Sequence, residues 1–190
     1  VWCAAPTGAL LEIMLMDAAH LAERDMQWEN RRRRRAGRKE IEPVYRIDDV
    51  RQILRQIEEV SYGESTDIAP GVSVTFRDAG HILGSAHVSF ELSTEAGERR
   101  TVVFSGDIGN PASHLMRDPD PPSGADVVLM EGTYGDRNHQ DMDATLEELA
   151  QVLADAHAAG GNVLIPAFAV GRTQELIYDL AMLRNQGRLP

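Results

Sequence analysis

The sequence predicts an α/β fold, and three observations carry that prediction. Apolar residues recur every three to four positions towards both ends of the chain and every second position in its middle, the periods of helices and of half-buried strands. After residue 160 a strand-like run, a glycine turn and a helical stretch follow one another, the order of a βαβα unit with parallel strands. With 190 residues, 43% of them hydrophobic, the chain has the mass to bury a core.

Taken in order, Thr7 can cap a first helix reaching to about Asn30, with Leu11, Met14, Leu15, Ala18, Leu21 and Ala22 along one stripe. The arginines at 31–35 follow as its frayed end or as a loop. Glu42-Pro43 breaks the chain, and Asp48 or Asp49 starts a second helix that turns Val50, Ile53, Leu54 and Ile57 inward. Ala69-Pro70-Gly71 reads as a turn. Beyond it Val72, Val74 and Phe76 alternate with polar residues, as do Val88, Phe90 and Leu92. Thr94-Glu95-Ala96-Gly97-Glu98 is the hairpin turn into a strand over residues 101–104. A proline-rich loop over 111–122 leads to a strand of buried type at 126–130. A helix over 143–159 ends at Gly160-Gly161, a strand occupies 162–166, and Gly171 opens a last helix through Leu176, Ile177, Leu180 and Leu183.

Net charge is −11, but the positive charge is unevenly placed. The arginines at 31–35, Arg38 and Lys39 make up seven of the nineteen basic residues, leaving twelve against thirty acidic ones elsewhere. Two readings of the run stay open: a solvated helix end, or a phosphate-binding patch on an otherwise acidic protein. The run contains no aromatic residue, so base stacking is not indicated within it. A single cysteine, Cys3, excludes an internal disulfide and fits a reducing compartment. No apolar run of membrane-spanning length and no signal peptide occur, so a cytoplasmic location with no membrane partner is the expectation. The chain opens on Val1 and stops at Pro190, where another strand would be expected to follow, which suggests a piece of a longer protein.

Two stretches concentrate the chemistry: Asp78-Ala79-Gly80-His81-Ile82-Leu83-Gly84-Ser85-Ala86 and Phe104-Ser105-Gly106-Asp107-Ile108-Gly109. Each seats one metal-capable side chain beside glycine at the end of a strand-like run, where a ligand is held firmly and the backbone can come close. A zinc ion needs about four donors, and no HxHxDH, HExxH or CxxC completes a set within the chain. His20 and His157 fall within helices, His87 starts the polar face of a strand, and His114 and His139 occupy loops. None of these five reads as a ligand.

Together with Glu131-Gly132-Thr133-Tyr134-Gly135-Asp136-Arg137 and the stretch from Pro166 to Glu175, these motifs stand in the order and spacing of a known family. The chain resembles the β-CASP branch of metallo-β-lactamase-fold hydrolases, which contains RNA-processing nucleases related to the polyadenylation endonuclease subunit and to bacterial ribonuclease J. The likeness covers almost the whole chain, since the long first helix, the arginine-rich segment and Glu42-Pro43-Val44-Tyr45 also resemble bacterial and archaeal members. It implies an αβ/βα sandwich carrying two zinc ions, over residues 1–135, and the beginning of an inserted α/β lid domain over 136–190. His81 matches the histidine that ligates one zinc and Asp107 the carboxylate bridging both. Glu131 matches an acidic residue that orients a histidine lying beyond Pro190, and so acts behind the ligands. In this reading a metal-bound hydroxide attacks an RNA phosphodiester in line.

Each assignment has a plainer alternative. His81 could be structural, Asp107 a turn cap, and Glu131 an ordinary strand-end carboxylate. Ser85 could contact substrate phosphate or bond nearby backbone. Arg172 and Thr173 could present a helix N-terminus to an anion, or be a surface arginine and a cap. The family's first metal motif and its two later histidines are not within the chain, so weak zinc binding and no meaningful turnover are expected of these 190 residues alone. The resemblance makes RNA the partner and zinc the cofactor, and leaves a homodimer as an assembly to test. A catalytically inactive RNA-binding or scaffold paralogue and a small-molecule hydrolase of thioester type are the alternative functions.

Overall fold

The computed structural model describes every residue except Ala112, His139 and Pro190. His139, expected in a loop, therefore lies outside the described residues. The described chain is a mixed α/β structure with four helices and two sheets.

Strand β1 (Trp2–Ala4) leads directly into helix α1 (Ala5–Arg35) and pairs in parallel with β2 (Glu58–Val60). The helix begins before Thr7, because Pro6 lies in its first turn, where a missing N–H costs nothing. Thr7 is therefore not the cap. Its hydroxyl donates instead to the Gly84 carbonyl at 2.6 Å, tying the start of α1 to the His81 loop.

The buried positions of α1 are Gly8, Ala19 and Asn30, spaced eleven residues apart, rather than the stripe of long apolar residues expected from Leu11 to Ala22. Close approach selects small residues: a Cβ on Gly8 would lie 2.1 Å from a Glu59 carboxylate oxygen. The helix also runs through the arginines at 31–35, which are neither frayed nor looped. Arginine is a good helix former, and positive charge in the last turn complements the helix dipole. Asn30 explains why the chain does not leave the helix earlier. Its amide donates to the Ile41 carbonyl at 2.8 Å and its carbonyl accepts from the Ile41 N–H at 2.9 Å, clamping the returning strand of chain to a turn that must stay helical.

Helix α2 (Ile47–Leu54) packs on α1 with Val50 buried. Asp49 stabilises its first turn by accepting from the Arg46 N–H at 2.8 Å.

Next comes a meander of antiparallel strands, β3 (Ser65–Ala69), β4 (Val72–Asp78), β5 (Ala86–Ser93) and β6 (Arg99–Phe104), with β7 (Val127–Leu129) added in parallel beside β6. The turn expected at residues 69–71 needs glycine: Gly71 has φ 73° and a Cβ there would sit 2.7 Å from the Ser93 carbonyl oxygen. The hairpin at 94–98 also forms, with the Thr94 N–H donating to the Glu98 carbonyl. Val74 and Val103 are fully covered, and Phe90 meets Phe104 edge to face at 5.7 Å.

Three expectations fail in this region and beyond it. His87 is buried, not on a polar face: the Arg77–Asp120 ion pair at 3.1 Å draws residues 117–120 across that side, and the His87 ring bonds the Asp120 carbonyl. The apolar row of β7 is exposed, at 51% for Val127 and 56% for Val128, so neither face of this strand, the last in its sheet, is well covered. No described strand forms at 162–166, where Leu164 is 93% exposed. Its apolar composition is that of a strand, but no neighbour completes a ladder with it, so the expected βαβα unit is not built from the described residues.

Helices α3 (Met142–Ala158) and α4 (Arg172–Asn185) pack on each other, with Leu146, Ala150 and Leu183 buried. Asp141 caps α3 by accepting from the N–H groups of Asp143 and Ala144, and the Gly160 and Gly161 N–H groups close its last turn onto His157 and Ala156. Among the described residues no helix is long and apolar enough to cross a membrane.

Candidate functional site

The end of β4 carries the first metal-capable residue. Asp78 turns the chain by accepting from the Gly80 N–H at 2.8 Å, and Gly80 takes φ 67°. His81 then sits in a tight loop closed by Ser85. The Ser85 hydroxyl oxygen accepts from the N–H groups of His81 at 3.0 Å and Ile82 at 3.2 Å, while its carbonyl accepts from the Tyr62 hydroxyl at 2.9 Å. Ser85 is thus engaged with local backbone.

The end of β6 carries the second. Ser105 is buried, takes a hydrogen bond from the Glu131 N–H at 3.0 Å, and donates its own N–H to Leu129. This draws the ends of β6 and β7 together and projects Asp107 from the loop between them. The two loops are then fastened backbone to backbone. The Gly109 N–H donates to the Ala79 carbonyl at 2.8 Å, and a Cβ at residue 109 would fall 1.9 Å from the Gly80 carbonyl oxygen.

This fastening sets His81 Nε2 3.8 Å from Asp107 Oδ2, both side chains open to solvent. Two ligands about 2.1 Å from one tetrahedral zinc ion stand roughly 3.4 Å apart, so the pair fits two positions of such an ion with little movement. It does not fill the set: among the described residues no group of three or more His, Cys, Asp or Glu side chains is arranged to hold a metal.

Glu131 lies beside the pair and both of its carboxylate oxygens are occupied. One accepts from the Ile108 N–H at 2.6 Å and the other from the Thr133 hydroxyl at 2.8 Å. The Ile108 hydrogen bond, then that of Thr133, and the nearby His81 hold its carboxyl below the usual range. Among the described residues the Glu131 carboxylate is therefore held by the peptide that follows Asp107 and by Thr133. Sequence reasoning missed the partners Ser105, Ile108 and Thr133, and only their adjacency to Asp107 and Glu131 could have flagged them.

Arg172 and Thr173 open α4 behind Gly171, whose φ is 86° and whose missing Cβ would lie 2.7 Å from an Ile82 methyl. The helix N-terminus therefore abuts the His81 loop. Arg172 turns to Glu175 at 3.4 Å and the Thr173 hydroxyl donates to the Phe168 carbonyl at 2.6 Å, so both side chains serve the helix start itself. The proline-rich loop reaches the same helix through Ser113 to Glu175 at 3.1 Å and His114 to Asp179 at 2.9 Å.

No family model matches the chain. Ribonuclease TTHA0252 of Thermus thermophilus is 37% identical to it over 180 residues, 95% of this chain and 36% of that protein. Transcription termination factor FttA of Cenarchaeum symbiosum is 35% identical over 195 residues, covering all of this chain and 27% of the relative. The factor of the same name from Methanothermobacter thermautotrophicus is 32% identical over 190 residues, with 95% and 26% covered. The chain is thus homologous, along nearly its whole length, to about a third of a protein named as a ribonuclease and about a quarter of proteins named as transcription termination factors.

Proposed function

We propose that these residues form part of the catalytic centre of a zinc-dependent ribonuclease, with His81 and Asp107 as metal ligands. The observation that carries this reading is the convergence of His81 Nε2 and Asp107 Oδ2 to 3.8 Å from two separate strand ends. The name of the Thermus relative supports RNA as the substrate. Imidazole nitrogen and carboxylate oxygen are donors that zinc accepts, and zinc, when bound, supplies an activated water and charge neutralisation for attack on phosphorus.

Within this reading Asp107 and His81 would hold metal from two strand ends, and the further donors that zinc needs would have to be added to this pair; the ribonuclease relative is much longer than these 190 residues. Glu131 is a positioning residue, holding the 107–108 peptide so that the Asp107 carboxylate stays aimed at His81. The α4 N-terminus, with Arg172 and Thr173, borders the same opening and offers backbone N–H groups to an anionic substrate. Residues 1–135 belong in this proposal to a metallo-β-lactamase layer and residues 136–190 to an inserted domain, a division supported by α3 and α4 packing on each other.

The test is Asp107→Ala in the whole protein. Loss of RNA cleavage of at least about 1,000-fold is expected, with the circular dichroism spectrum unchanged, because the Asp107 side chain is exposed and its one ion-pair contact among the described residues is His81. Cleavage at the wild-type rate would sink the metal reading.

A further inference from the structure

Helix α1 builds a second surface far from this centre. At the helical repeat, Arg24, Trp28, Arg31, Arg32 and Arg35 fall within roughly 100° of arc, forming one stripe, and all five are exposed. The Trp28 residue is 58% exposed, and the Arg32 guanidinium lies over its ring at 4.9 Å from the centroid. The arginine run itself has no aromatic residue; the helix supplies one from the preceding turn.

Not all of these charges are spoken for. Glu29 draws Arg32 and Arg33 at 3.5 and 3.9 Å, and Glu40 draws Arg34 at 3.1 Å. Among the described residues, Arg24, Arg31 and Arg35 have no acidic partner within ion-pair distance. An open groove of about 540 Å³ lined by Met26, Gln27, Asn30, Arg31, Arg34 and Glu40 runs beside the stripe.

We infer that this face binds single-stranded RNA at a distance from the catalytic centre, with a base stacked on Trp28 and the flanking phosphates held by Arg31 and Arg35. An exposed indole amid guanidinium groups is the combination that single-stranded nucleic acid uses, since stacking tolerates any base and the cations follow the backbone. The chain as a whole carries a net charge of −11 despite these arginines, so its remaining surface repels a polyanion and the stripe is a local landing site rather than part of a general basic surface. Thr7, at the other end of the helix, touches the His81 loop. Trp28 lies 21 residues further along a single helix, about 30 Å from that contact. The helix therefore sets a fixed separation between the landing site and the candidate centre. The choice of RNA rests on the ribonuclease reading; the stacking and charge geometry does not.

The experiment measures binding without cleavage. The protein is held in EDTA and carries Trp2→Phe, with any tryptophan outside these 190 residues likewise replaced, so that of the two tryptophans in this sequence only Trp28 reports. Titration with oligouridine should quench Trp28 fluorescence, and an RNA duplex of equal length should not. Trp28→Ala should weaken oligouridine binding about 10-fold, Trp28→Phe should keep most of it, and Arg31→Gln with Arg35→Gln should flatten the salt slope by about 1.4. Wild-type affinity in Trp28→Ala, or equal quenching by duplex, would overturn the inference while leaving the nuclease reading intact. Quenching as described, in the metal-loaded whole protein that nevertheless cuts no RNA, would do the reverse.

Discussion

Gly109 shows how narrowly the candidate centre depends on single residues. A methyl group there would overlap the Gly80 carbonyl, and both partners are backbone, which cannot swing aside as a side chain would. Gly109→Ala should therefore cost about 2 kcal/mol or more, read from urea denaturation. It should also separate His81 from Asp107. An unchanged midpoint would show that the loops are not locked here. Glu131 has its own signature. Its carboxyl is held below the usual range, so its contribution is present above the ordinary carboxylate pKa and is lost as pH falls through the lowered value. The Ile108 amide resonance, followed by NMR, should move only in acid below the usual carboxylate range. A titration at or above that range would separate Glu131 from Ile108. His81 and Asp107 were legible as candidate ligands because each stands in a glycine-flanked motif. The hydrogen bonds of Ser105, Ile108 and Thr133 were not, because they come from backbone geometry that no side-chain pattern announces.

At the scale of elements, β4, β5 and β6 could be read directly, since a half-buried strand must alternate. Helix α1 was read only in outline. Its contacts select glycine, alanine and asparagine over long apolar residues, so hydrophobic periodicity pointed to the wrong stripe. Its end was misplaced because Asn30, a residue that often marks a terminus, here uses its amide to hold Ile41. Asn30→Ala should cost about 1–3 kcal/mol in thermal or urea unfolding, since two backbone groups of Ile41 lose their partner. No loss would mean that water replaces the amide freely. Residues 162–166 teach the complementary lesson. Strand composition states a preference, but a strand exists only where another offers its backbone.

At the scale of the whole molecule, the described residues bring together two donors and no complete set. The 190-residue chain should accordingly bind zinc weakly and show no RNA turnover, by calorimetry and a cleavage assay. Stoichiometric tight binding with cleavage would show that the site is complete within it. The sequence motifs conveyed which residues converge; the extent of the site was not legible, because a chain that matches about a third of its ribonuclease relative says nothing of what the remainder contributes. The edge position of β7 bears on how such a chain behaves in a tube. A Val-Val-Leu strand with one side of its backbone unsatisfied invites any other strand to dock, and β6, covered on both edges, cannot shield it. Self-association through that edge, opposed only by mutual repulsion of the acidic surface, should grow with concentration and with added salt.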